Sequence, residues 1–527
     1  MIKVKYKMID ELKAEKRNLT SLFLFYLLSQ GLILIVSGLW YDDWCIINIS
    51  TEGLRTWSLE MGRPEFYVIV YIINKMPDFF YKFLIFSFYY ITITCFFMII
   101  KKSLPIKTVD AFEIALLYMC MPVNDIRIER LGIPYALGQS LFMVAFMLLV
   151  YLYEELKFGH NIFILLLFFV SYILNSLLVY MGLVWLYIIY REKSLKRLVN
   201  KAGYFCVPII YYVMDMVLFP AHGVYANYNR VTPIRMVGAP GRTFMSINSI
   251  ISNVIKVYSD LLINKPWLII VFYISVISLT WVHVKKKKVE SENVMSIDVF
   301  KSIVYEIVIG YVALFAGIYP YVTVGNTIEI TGFNSRNVIL APLGLSLLVH
   351  ALIKVVLKKE FRHFIIAWMM IVSVVFFTKQ YADLQSMYYY DRGLQIYLTK
   401  HPELSELKNI ALYAPDGKGS MYIYNGIFEE VYGNESRLVE NMYYCKPFDP
   451  SKYLAQKERE WYNMMDCDLN YREIDCLILY TNLIGKKDAL ITRIRELMGQ
   501  DVDDTIIRNA SFSIVYPDDE LFDDYIE

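Results

Sequence analysis

Leu39-Trp40-Tyr41-Asp42-Asp43-Trp44 ends an apolar run that begins at Leu19, and it sets two adjacent carboxylates inside an aromatic belt. A run of about 21 residues at about 1.5 Å per residue matches the roughly 30 Å hydrocarbon core of a bilayer. Two carboxylates are costly in hydrocarbon, so the pair marks the point where this first helix leaves the membrane. Lys3, Lys5, Lys7, Lys13, Lys16 and Arg17 precede the run. Such a basic flank stays cytoplasmic, so the helix runs outward and puts Asp42 and Asp43 on the extracytoplasmic face. The run is longer than a signal-peptide core and lacks a small-residue exit, so it is expected to remain as a transmembrane helix.

The rest of the chain agrees with a membrane setting. Of its 527 residues 57% are hydrophobic and 16% aromatic, and the mean hydropathy is +0.41. That is too apolar for a soluble enzyme. The formal charge of +1 conceals two unlike parts, because 25 Asp/Glu face only 15 Lys/Arg from Arg392 onward. A basic membrane part and an acidic tail suit two environments. The seven cysteines show no CxxC or Cys/His spacing, which argues against a structural zinc site.

Working outward from the acid pair, the short apolar piece Phe66 to Ile73 is expected as an interfacial helix in a structured outer loop. Phe79 to Ile100 returns inward to Lys101-Lys102, and Ala111 to Met121 goes out to the loop Asn124–Arg130. Ile133 to Tyr153 comes back. Residues 162–190 are too long for one ordinary span and are expected as two helices broken near Asn175. Gly203 to Phe219 leads to a polar loop over 220–246, with 247–264 at the interface. Trp267 to Val284 ends at four lysines, 285–288. Ile303 to Tyr319, Val338 to Val356 and Phe364 to Thr378 complete about eleven spans. This places the N-terminus inside and the C-terminus outside, with every basic cluster after an inward helix in the cytoplasm. The expected fold is a polytopic α-helical membrane protein over 1–378, with outer loops at 40–78, 122–132, 220–264 and 320–337. A small extracytoplasmic α/β domain follows over 379–527, where 410–413 and 476–480 read as buried strands.

On this topology several polar loops share the outer face. They bring Asp42, Asp43 and Arg63, then Arg127, Glu129 and Arg130, then Arg230, Arg235 and Arg336. A carboxylate beside cations suits a reaction in which a hydroxyl loses a proton and a phosphate departs. The carboxylate acts as general base, and arginines hold the phosphate through charge-assisted bonds. A divalent cation, magnesium or manganese, can share that work on Asp42 and Asp43. Plainer readings stand beside these. The acid pair can simply mark a helix end, Arg63 and Arg336 can be snorkelling anchors, and residues 127–130 can form a surface ion pair. No Walker-type loop or G-x-G-x-x-G is present, and nothing calls for nucleic acid.

A basic start, one helix and then Tyr41-Asp42-Asp43-Trp44 in the first outer loop resemble the membrane-embedded GT-C glycosyltransferases. Gly62-Arg63-Pro64 is similar to the GRP-like segment of bacterial multispanning glucosyltransferases of the serotype-converting type. The motif match covers residues 39–65. The resemblance implies a polyprenyl-phosphate sugar donor, a cell-surface glycan or glycolipid acceptor, and Asp42 or Asp43 as the base, with Arg63 near donor or acceptor. Two other readings stay open: a polymerase or ligase relying on Arg230 to Arg242, and a lipid-linked glycan flippase relying on charges within the helices. Reporter fusions test the topology: those ending near residues 193 and 288 should report cytoplasm and one ending near 400 should report the outside, and the reverse pattern contradicts it.

Overall fold

The computed structural model describes residues 10–519 except 41, 48, 124, 193, 227–230, 287–296, 408, 414–420, 434–437, 442–474, 481–483 and 510–511. Apolar runs become helices because a helix satisfies its own backbone polar groups where water is absent. The bundle is made of α1 (Lys16–Gln30), α2 (Asp78–Ser103), α3 (Thr108–Cys120), α4 (Gly132–Leu152), α5 (Phe158–Ser171) and α6 (Leu177–Glu192). It continues with α7 (Ala202–Leu218), α8 (Pro233–Asn264), α9 (Pro266–Lys286), α10 (Ile297–Val324), α11 (Ala341–Val356) and α12 (Lys359–Lys400).

Among the described residues, α2, α4 with its short extension to Glu155, α10 and α12 are each long and apolar enough to cross a membrane. The pair α8–α9, bent by 93° at Lys265, makes a fifth if it counts as one span. These helices mark a helical membrane protein. The remaining apolar helices are shorter. The break foreseen near Asn175 falls between Ser171 and Leu177, and the outer-loop helix over 66–73 runs from Pro64 to Asn74. Where α10 meets α11, the chains come so close that a Cβ on Gly344 would lie 2.5 Å from the carbonyl oxygen of Gly310. Small residues permit such packing between membrane helices.

Three expectations need correcting. The first helix does not reach Leu39. It ends at Gln30, a short 3-10 turn covers Gly31–Leu34, and the chain is non-helical through Trp40. The cause is polar contact with α12: the Tyr381 hydroxyl donates to Gln30 Oε1 at 2.9 Å, and Ser37 N–H donates to Gln385 Oε1 at 3.0 Å. The acid pair therefore follows a non-helical segment packed against α12, with Asp43 buried and Asp42 half-exposed. Second, residues 233–246 are not loop but the first half of α8. Pro233 occupies its first turn and the Thr232 hydroxyl caps it, accepting from Arg235 N–H, so the Gly/Pro density that reads as loop is partly a helix start. Third, α12 does not stop at Thr378. Tyr381, Leu384, Tyr389, Leu394 and Leu398 continue its buried face to Lys400, so one unbroken helix joins the bundle to the tail.

The tail holds a four-stranded sheet of order β2-β1-β3-β4, with β1 (Asn409–Tyr413), β2 (Leu438–Asn441), β3 (Cys476–Tyr480) and β4 (Phe512–Val515). β1 runs parallel to β2 and β3, and β4 runs antiparallel to β3. The helices α13 (Met421–Tyr432) and α14 (Lys486–Leu497) accompany it. The helical spacing of Ser451 to Met465 predicts a further helix there, and that stretch lies outside the described residues. Ile410, Leu412, Ile478, Tyr424 and Phe428 form one core with Leu394 and Leu398 of α12, and Trp44 belongs to it. The tail thus packs directly on the residue that follows the acid pair.

At the end of α11 away from the acid pair, buried charges tie four helices together. Lys354 Nζ lies 2.8 Å from Asp110 Oδ2 and 3.0 Å from Glu306 Oε1, and Arg362 Nη2 lies 3.0 Å from Asp110 Oδ1. The fully buried His350 ring spans Glu306 (2.7 Å) and Glu113 (3.1 Å). Removing one member strands the others, which costs about 3–5 kcal/mol at such sites. Lys354→Met should therefore lower the melting temperature of the purified protein sharply, whereas Lys75→Met should leave it nearly unchanged; equal small effects would contradict this.

Candidate active site around Asp42 and Asp43

Three distant loops meet at the acid pair. Residues 125–131 precede α4, residues 332–338 precede α11, and a five-residue helix begins at Asp43. Asp125 joins them: its carboxylate accepts from Gly332 N–H and from the Gln380 amide on α12. Ile126 N–H donates to the Ser335 hydroxyl at 3.3 Å. Neither Asp125 nor Ser335 carries a motif, and only their contacts single them out.

Asp43 is fully buried. Its carboxylate accepts backbone N–H bonds from Trp40 (3.2 Å), Arg130 (2.9 Å) and Leu131 (3.4 Å). Burial pushes its carboxyl up to about 7, against the downward pull of those donors and of the Arg130 charge. Asp42, one residue earlier, is only half-buried. Its Oδ2 lies 3.6 Å from Arg336 Nη1. Burial raises its proton affinity and Arg336 opposes that rise. The two carboxylates meet different surroundings: Asp43 is closed in, while 36% of the Asp42 side chain is exposed.

Glu129 is fully buried and neither carboxyl oxygen has a hydrogen-bond partner. Burial, then repulsion from Asp43 and Asp42, hold it well above the usual carboxylate range, with Arg336 pulling the other way. Residues 127–130 are therefore not a surface ion pair. The Arg127 guanidinium is buried, stacks 4.2 Å over the Tyr89 ring, leaves Nε without an acceptor and pairs with no acidic side chain among the described residues. Arg130 serves the site through its backbone; its side chain lies over the Tyr81 ring at 4.8 Å and reaches Asp78 at 3.9 Å.

Arg63 goes elsewhere. It contacts Glu65 (3.3 Å), Asp215 (3.8 Å) and the Tyr211 hydroxyl (3.2 Å). Its Gly62 neighbour has φ +76, and a Cβ there would meet the Phe219 carbonyl oxygen at 2.4 Å. Only glycine fits that bend, so the Gly-Arg-Pro sequence serves to dock the first loop on the end of α7. Arg235 donates to the Val324 carbonyl at 2.9 Å, and Arg230 lies outside the described residues.

For a metal, Asp43 offers little, since its lone pairs already face backbone donors. Among the described residues, the set of three ligand atoms close enough to share an ion is Asp110, Glu113 and His350, which Lys354 and Arg362 already neutralise. No family model and no curated protein matches the chain.

The folded state holds the Asp43 proton more tightly than an unfolded chain, where an aspartate titrates near about 3.9. Its contribution to stability is therefore full below about pH 4 and is lost as pH rises towards 7. Thermal melts of wild type and Asp43→Asn should diverge across that window, with the wild type alone losing the Asp43-dependent part; parallel curves would contradict it.

Proposed function

We propose that the chain is an integral-membrane glycosyltransferase of the GT-C type. It transfers a sugar from a polyprenyl-phosphate donor to a cell-surface glycan or glycolipid on the extracytoplasmic face. What supports the reading most is the 3.6 Å approach of Asp42, from the first outer loop, to Arg336, nearly three hundred residues later. A general base must be reachable and must balance burial against a nearby cation. Asp42 meets both conditions, while Asp43 is sealed by backbone donors and acts as the anchor that aims its neighbour.

In this reading Asp42 accepts the proton of an acceptor hydroxyl. The hydroxyl oxygen forms a bond to the anomeric carbon as the bond from that carbon to the phosphate oxygen breaks. The configuration inverts, and polyprenyl phosphate leaves with the electron pair. Arg127, whose charge no carboxylate neutralises among the described residues, and Arg336 hold the departing phosphate. A divalent cation would be held by Asp42 and would supply Lewis-acid stabilisation of the departing phosphate. The about eleven spans, the cytoplasmic N-terminus and the extracytoplasmic tail over 379–527 belong to the same proposal.

A flippase for lipid-linked glycans is the second reading, favoured by the buried charges of Asp110, Glu306, His350 and Lys354 within the bundle. The two readings part on one experiment. Asp42→Asn, assayed in membranes with polyprenyl-phosphate sugars, should lower transfer by about 10²–10⁴-fold, the usual weight of a general base. Transfer undiminished in Asp42→Asn would overturn the glycosyltransferase reading.

A further inference from the structure

The basic end of α1 carries a groove that the proposed reaction does not use. Leu12 and Leu19 form its floor with Phe23 and Tyr90, and Lys13, Lys16 and Thr20 stand along it; its volume is about 410 Å³. These positions follow three- and four-residue helical spacing, so they share one face. The Phe23 and Tyr90 rings meet edge-on with centroids 5.1 Å apart. The Tyr90 hydroxyl donates to the Leu19 carbonyl at 2.9 Å, which satisfies its polar end within the protein.

The charges around the groove are unevenly used. Lys101 lies 2.7 Å from Glu15 and 3.4 Å from Glu11, and Lys102 lies 3.7 Å from Glu11. Glu11 and Glu15 are thus committed to α2. Lys13 and Lys16 form no ion pair among the described residues, although both are exposed. Beyond them along α1, Leu24, Leu27 and Leu28 are exposed and extend the apolar face. An occupant must then carry a negative group level with the two lysines and an apolar chain running along the helix.

We propose that this groove is a binding site for an anionic phospholipid, with the headgroup phosphate between Lys13 and Lys16 and one acyl chain laid over Leu19, Phe23 and Tyr90. A free phosphate would leave the apolar floor unused, and a zwitterionic lipid brings its own cation beside the two lysines, which offsets most of the attraction of its phosphate. Each lysine near a membrane surface contributes enough attraction that two together favour an anionic over a zwitterionic headgroup by about 30-fold. The site is independent of the catalytic reading, since it requires only that α1 face lipid.

Native mass spectrometry of the full chain in detergent tests this, with phosphatidylglycerol, phosphatidylcholine and polyprenyl phosphate each titrated. The wild type should retain one phosphatidylglycerol with marked preference over phosphatidylcholine. Lys13→Glu/Lys16→Glu should lose that preference by about 30-fold or more. Lys256→Glu/Lys265→Glu, which changes net charge equally at exposed positions on α8 and just beyond it, should keep it. Phe23→Ser should weaken retention of both phospholipids. A thermal scan of each variant confirms that it is folded, and molecular dissection by Lys16→Gln, which removes one charge only, gives an intermediate loss if the double reversal fails to fold. Equal binding of both phospholipids, equal loss in the α8 control, or preferential retention of polyprenyl phosphate would overturn the proposal.

Discussion

The closed end of the acid pair depends on the Asp43 carboxylate and the backbone N–H groups of Trp40, Arg130 and Leu131. Buried N–H groups must be paired, and orphaning one costs about 1–3 kcal/mol. A single carboxylate satisfies three of them and pins the folded-back segment after α1 to the turn before α4. Because those two segments are far apart in sequence, this bond set carries much of the geometry at this end of the bundle. Its charge is expensive to bury, which is why the carboxyl is pushed up to about 7. Asp42 inherits its position from this anchor.

The tail takes part in the same arrangement. Trp44 lies in its core, and a Cβ on Gly426 of α13 would come within 3.1 Å of the Trp44 side chain. Arg493 of α14 donates to the Ile35 carbonyl at 2.5 Å, bracing the segment that leads to the acid pair. Gln380 and Gln385 of α12 reach Asp125 and Ser37. The sheet-bearing region therefore holds the site from one side as the bundle holds it from the other. At the far end of α11, the network of Asp110, Glu306, His350 and Lys354 adds charge pairing to an apolar core that includes Ala111, Ile114, Ile353 and Ile366.

Much of the helical framework was legible because apolar runs and basic flanks are strong signals. The helices around Asn175, the outer-loop helix after Pro64, and the strands at 410–413 and 476–480 fall where their patterns place them. The failures share a cause. Residues 31–40 read as lipid-facing because they are apolar, yet they are apolar because they are packed in protein. Residues 233–246 read as loop because Pro and Gly suggest breaks, yet Pro233 opens a helix. Of the candidate site, topology puts Asp42 and Arg336 among several residues on one face without pairing them, and it does not separate the fates of Asp42 and Asp43. Adjacent identical residues carry no pattern that tells an anchor from an exposed group. Arg63 reads like a site residue but is engaged by Asp215 and Tyr211, contacts that no local spacing announces.

The central claim of the proposal is that Asp42 serves as the base beside a lipid phosphate held by Arg336 and Arg127. A structure of the protein with a polyprenyl-phosphate-linked sugar bound in nanodiscs tests it most directly. The account predicts phosphate density within hydrogen-bonding distance of one of these guanidinium groups and the sugar beside Asp42, with Asp43 still held by its three N–H donors. A donor seated elsewhere in the bundle, or an Asp42 carboxylate with no path to the sugar, would contradict it.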